Sequence, residues 1–149
     1  MSKKKNKKSW REKLTEEHPS HGKIIKILIP KPLDVDAIIR TVPEGKLVTD
    51  KQIREKLAED YQADSTCSKV TGIFLRIAAE AAEEDAQDGI ADITPYWRVV
   101  NKEGCLKPKF PGGPQAQAAR LEKEGHTITP EEGKKPPKVE DFGKYLVNL

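Results

Sequence analysis

The chain has 149 residues, 36% of them hydrophobic and 34% charged, which fits one small-cored soluble domain rather than two. No apolar run approaches a membrane span, no apolar stretch follows the basic start as a secretory signal requires, and two cysteines make no disulfide framework, so a monomer in the reducing cytoplasm is expected. The net charge of +3 hides an asymmetry: residues 1–31 carry +7 and the remainder −4, and phosphate attraction follows local charge, not the average.

Residues 1–22 read as a flexible basic arm carrying Lys3, Lys4, Lys5, Lys7 and Lys8. It serves either for phosphate contact or as a solubilising tail. Trp10 and Leu14 in it are spaced as a short helical docking element. His18 and His21 lack a third ligand nearby, so neither a metal nor any other cofactor is expected. A domain spans 23–129. Ile24 to Ile29, closed by Pro30 and Pro32, is β-branched and aliphatic and predicts a strand. Asp34 or Asp36 caps a helix holding Val35, Ile38, Ile39 and Val42, which Pro43-Glu44-Gly45 ends. After a short extended piece, Thr49 or Asp50 caps a second helix with Ile53, Leu57 and Tyr61 on its buried face.

A polar turn leads to a third helix, starting near Ser65 or Ser68 and ending before Gly89, whose apolar stripe is Val70, Ile73, Phe74 and Ile77. Two helices joined this way after a small strand predict a helix-turn-helix. Residues 97–101 read as a strand and 107–113 as a Pro/Gly-rich loop. Pro114 opens a helix that Gly125 stops, and His126 to Thr129 returns as a strand. Residues 130–149 are a linker followed by a segment, with Phe142, Tyr145, Leu146 and Val147, that packs back on the domain. The fold class is mixed α/β: a winged-helix-like helix-turn-helix domain with a small β element.

Several pieces occur in a telling order. They are Val42-Pro43-Glu44-Gly45-Lys46-Leu47-Val48-Thr49, the Val70-Thr71-Gly72 helix, Pro95-Tyr96-Trp97-Arg98-Val99-Val100, Gly112-Gly113, and Leu121-Glu122-Lys123-Glu124-Gly125. Together, over roughly residues 33–128, this set resembles the DNA-binding, active-site domain of the alkylguanine DNA alkyltransferases and their cysteine-less alkyltransferase-like relatives. In that family a cysteine attacks the alkyl carbon of a flipped guanine, and a histidine oriented by a glutamate deprotonates it. Here Tyr96 stands at the cysteine position and Trp97 at the histidine position; only Glu124 matches. The resemblance therefore implies a non-catalytic binder of double-stranded, alkylated DNA, a protein that is not an enzyme. Cys67 and Cys105 are small packing residues on this reading.

The resemblance also implies DNA contacts from Lys46, Lys51, Arg54, Ser68, Lys69 and Arg76, and a base pocket from Tyr96, Trp97, Arg98, Gly112, Gly113 and Glu124. Tyr96 and Trp97 either stack a flipped base at the pocket mouth or fill the space the cysteine and histidine vacate. Glu124, without its histidine, reads as a solvated residue of a last helical turn. The family's intruding arginine falls at Ser68, its phosphate-crowding tyrosine at Asp50 and its asparagine at Ile77. An aspartate facing phosphate is unfavourable. The third helix continues into Glu80, Glu83, Glu84, Asp85 and Asp88. That stretch is either a solvated end pointing away or a surface for a basic protein partner. The other functions the residues allow are thus a protein-interaction module that has lost DNA, and an alkyltransferase with a non-standard nucleophile.

Overall fold

The first core helix starts where proline chemistry puts it. In the computed structural model, which describes residues 7–149, α2 (Pro32–Arg40) begins with Pro32 in its first turn, where a missing N–H is harmless. Lys31 occupies the cap position without a side-chain bond. Asp34, expected as the cap, lies instead in the first turn, where its charge suits the helix dipole. Val35 and Ile39 face inward. The turn at Gly45, with φ of 82°, then delivers β2 (Val48–Thr49).

Thr49 starts α3 (Asp50–Asp60) with a reciprocal cap. Its hydroxyl accepts from the Gln52 amide at 3.0 Å, and its own amide donates to the Gln52 side chain at 2.9 Å. Ile53, Leu57 and Ala58 are buried. Tyr61, expected among them, sits past the helix end, half-exposed, with its hydroxyl donating to Asp34 at 2.5 Å. The strand expected over Ile24–Ile29 reduces to β1 (Ile27–Leu28), which runs parallel to β3 (Ser65–Thr66).

The long helix α4 (Ser68–Gln87) corrects the expected stripe by one position, about 100° of rotation. It buries Thr71, Leu75, Ala78, Ala79 and Ala82, while Ile73 and Ile77 are half-exposed. Alanines let α4 approach α2 closely; the bulky isoleucines go to the outside. Gly89, at φ of 81°, follows the helix end.

The strand expected over 97–101 is instead a 3-10 turn (Tyr96–Arg98) leading into β4 (Val99–Val100), parallel to β2. Helix α5 (Gly113–Lys123) follows Gly112, whose φ of 78° is left-handed; a Cβ there would meet that of Ala116 at 2.6 Å. β5 (Ile128–Thr129) and β6 (Lys138–Val139) form an antiparallel pair. The closing segment is tied to the middle of the chain. The Leu47 amide donates to the Tyr145 carbonyl at 2.8 Å, and the Val147 amide donates to the Leu47 carbonyl at 2.9 Å.

Two apolar clusters result. One joins α2, α3 and α4 to Tyr96, Val99 and Phe110; the other joins Leu47, Val100, Leu106, Leu121 and Val139. Trp97 packs against both. The mixed helix-and-strand class with a helix-turn-helix is borne out by α3 and α4. At the amino end, Lys3, Lys4 and Lys5 lie outside the described residues. α1 (Trp10–Thr15) forms, but Trp10 and Leu14 are 84% and 74% exposed, so the expected docking does not occur. Among the described residues no helix is long and apolar enough to cross a membrane.

Candidate nucleic-acid interface

The buried charge of Glu124 organises one side of the signature turn. Its carboxylate accepts from the Trp97 indole N–H at 2.5 Å, from Arg98 Nε at 3.0 Å and from the Gly45 amide at 2.9 Å. Arg98 also donates to the Val42 carbonyl at 2.6 Å. With 7% of the Glu124 side chain and 13% of the Arg98 side chain exposed, the expectation of a solvated Glu124 is overturned. Burial alone would raise its pKa. The hydrogen bonds from Arg98, Gly45 and Trp97, with the Arg98 charge, outweigh burial and hold it below the usual carboxylate value.

Tyr96 is core, not a pocket mouth. It is 2% exposed and packs edge-on against Phe110 and Trp97, each at 5.4 Å between ring centres. Its hydroxyl donates to Glu83 at 2.5 Å, and Glu83 is paired with Arg120 at 2.7 Å. Burial first, then the Glu83 bond, push the phenol well above its ordinary pKa. Trp97 is half-buried, with the Arg120 guanidinium over its ring at 4.3 Å. Trp97 and Arg98 border a shallow depression with Arg40, Ile93 and Pro95. Gly112 and Gly113 shape the entry to α5. The six residues expected to form one base pocket therefore do not surround a common cavity.

The open cavity lies alongside. A cleft of about 830 Å³ runs between the outer face of α4 and the 107–110 loop, within the range of small-ligand sites. Its apolar lining includes Gly72, Ile73, Ile77 and Phe110; Lys69, Arg76, Lys107 and Lys109 bring cations to it, and Glu80 and Glu84 bring carboxylates. Of the residues expected at DNA, Ser68, Lys69 and Arg76 line this cleft. Lys51 and Arg54 lie on α3, where Lys51 pairs with Glu55 at 3.7 Å and Arg54 with Asp50 at 4.0 Å. Lys46 lies in a separate depression beside Leu146 and Val147.

Asp50, the unfavourable aspartate, is paired with Lys107 and 19% exposed, so its charge is compensated. The acidic stretch does not point away as a whole. Glu80 and Glu84 line the cleft and Glu83 turns inward to Tyr96 and Arg120. Sequence reasoning missed Lys107, Lys109 and Phe110, which read only as a Pro/Gly-rich loop, and missed Ile73 and Ile77 as surface residues by placing them in the core. Cys67 stands at the N-cap of α4 without a capping bond, and Cys105 is buried. No cluster of potential metal ligands exists among the described residues.

A helix-turn-helix whose second helix borders a cleft is followed here by a tight turn at Tyr96–Arg98 and a glycine pair leading into a helix. Two solved structures share this fold: S. pombe Atl1 in complex with damaged DNA containing O6-carboxymethylguanine, at 20% identity and a TM-score of 0.53, and S. pombe ATL in complex with DNA, at 18% and 0.56. Each alignment covers 79% of this chain and 94% of the other. At these identities the likeness is one of fold, and at that level it bears out the resemblance carried by the sequence motifs. No protein-family model and no curated protein matches the chain.

Proposed function

We propose that this chain binds duplex DNA through α3 and α4 and receives an alkylated guanine in the cleft between α4 and the 107–110 loop, without taking the alkyl group. The observation that carries the reading is the cleft itself. It lies along the second helix of a helix-turn-helix, with an apolar lining suited to a base and with Lys69, Arg76 and Lys109 suited to phosphate, Lys107 being engaged by Asp50. The two solved neighbours, each a complex with DNA, support it at the level of fold. Non-catalysis follows from chemistry. Alkyl transfer needs a thiolate beside a base. The Tyr96 hydroxyl is buried and engaged by Glu83, and Trp97 donates to Glu124 instead of accepting a proton.

Glu80 and Glu84 favour a second reading, a module that grips a basic protein segment in the same cleft. One set of measurements separates the two. The full chain and its Glu80→Gln/Glu84→Gln variant are titrated into a labelled duplex, with and without one O6-alkylated guanine, across a salt series. Lesion-preferring binding with a steep salt slope, tightened by removing the two carboxylates, supports the DNA reading. No duplex binding at any salt, with capture of a lysine-rich peptide that the variant loses, replaces it with the second.

A further inference from the structure

The segment Lys23–Lys31 carries an edge that the rest of the fold leaves unused. β1 pairs with β3 on one side only. Lys26 and Leu28 supply that side: the Lys26 carbonyl accepts from Asp64 and Ser65, the Lys26 amide donates to the Asp64 side chain, and the Leu28 carbonyl accepts from Cys67. Backbone direction alternates along a strand, so the amides and carbonyls of Ile25, Ile27 and Ile29 face the other way. Among the described residues they take no hydrogen bond. The side chains are exposed as well: Ile24 at 95%, Ile25 at 57%, Ile27 at 59% and Ile29 at 62%. A β-branched, apolar strand with an open row of backbone groups is a template for another strand, which proteins ordinarily cover or blunt.

The charges say which strand. Lys23, Lys26 and Lys31 are exposed, and no acidic residue lies between positions 18 and 33. A second copy of this chain, laid antiparallel about Ile27, would set Lys23 against Lys31 at both ends, and like charges directly opposite are unfavourable. Duplex phosphate would meet the lysines but would bury four isoleucines against a charged backbone. By the same alternation Lys23 and Lys31 share a face with Ile25, Ile27 and Ile29, and Lys26 lies on the opposite one. An extended segment with an apolar centre and acidic residues at both ends satisfies the open amides and carbonyls, the isoleucines and the two end lysines together. We propose that the free edge of β1 is a docking site for such an acidic, strand-forming segment of a partner protein.

The test uses the full chain and a labelled valine-rich peptide with glutamate at both ends, against the same peptide with lysine for glutamate, by fluorescence anisotropy. Binding of the acidic peptide about tenfold tighter than the basic one is expected, from two end charge pairs of a few tenths to about 1 kcal/mol each, attractive in one peptide and repulsive in the other. The amides of Ile25, Ile27 and Ile29 should gain hydrogen-exchange protection. Ile27→Lys, a surface change, should abolish binding while leaving the circular dichroism intact, and Lys23→Glu/Lys31→Glu should reverse the preference. Three results overturn the proposal: neither peptide binds; sedimentation shows a dimer that Ile27→Lys dissolves; or the double reversal weakens duplex DNA binding with no change in peptide binding.

Discussion

Glu124 and Tyr96 hold the two ends of the signature turn by different means. Glu124 is a buried charge with three donors. Glu124→Ala leaves Arg98 uncompensated and should lower unfolding stability by about 3 kcal/mol, read by urea denaturation. On the motif reading Tyr96 falls at the nucleophile position of the resembled family, yet Tyr96→Cys should take up no alkyl label from O6-alkylguanine DNA, read by intact mass. The new thiol would be buried, and its neighbour Trp97 is not a base. His126 is 5% exposed, neither ring nitrogen has a hydrogen-bond partner, and its ring meets Tyr145 edge-on at 4.7 Å. Burial lowers its pKa, partly opposed by the Glu124 charge and the Gly45 backbone. The unfolded chain therefore takes up the proton first. The neutral histidine's contribution is intact above about 6.5 and is lost progressively as pH falls from there through the lower folded-state pKa. Denaturant midpoints at pH 7.5 and 5.5 should differ for the native chain, and differ less for His126→Phe.

At the scale of elements, α3 and α4 are fixed by different forces. α3 has a complete capping box at its start, so Thr49→Ala should cost about 1 kcal/mol in thermal or urea unfolding. α4 has no side-chain cap and is held by packing against α2 through Leu75, Ala78 and Ala79. Its outer face, bearing Lys69 and Arg76, is then free for a ligand. If both cations meet phosphate, each replacement by alanine should lower the slope of log affinity against log salt by about 0.9. The one-residue error in the stripe of α4 has a plain cause. Periodicity ranks residues by hydrophobicity, and Ile73 and Ile77 outrank alanine. A helix crossing another at close range selects small residues instead.

For the whole molecule, charge and architecture are separate. The globular part is acidic on balance and the amino-terminal 31 residues are basic, so on the proposed function the arm and the cleft should contribute separately to duplex affinity. Deleting residues 1–22 should flatten the salt dependence while leaving discrimination between modified and normal guanine in place, measured on the same duplex pair. The two apolar clusters meet at Trp97, and the carboxyl-terminal segment is tied to the chain's middle at Leu47. The closing residues are thereby part of the platform that supports the signature turn.

Local chemistry was readable without coordinates. Proline and glycine placed the helix ends at Gly89, Pro114 and Gly125; Thr49 was one of two residues offered for its cap; the ordered motifs announced the fold; and the tyrosine and tryptophan at the cysteine and histidine positions argued against alkyl transfer. These depend on residues close in sequence, whose preferences are set by backbone sterics and hydrogen-bonding rules. What the fold alone decided depends on residues far apart. Glu124 lies 79 positions from the Gly45 amide it accepts from, and Lys107 lies 57 from the Asp50 charge it cancels. The cleft forms because a loop read as punctuation packs beside a helix face read as core. Long-range pairings of this kind are chosen by packing and by the need to satisfy buried charge, and no spacing along the chain encodes them.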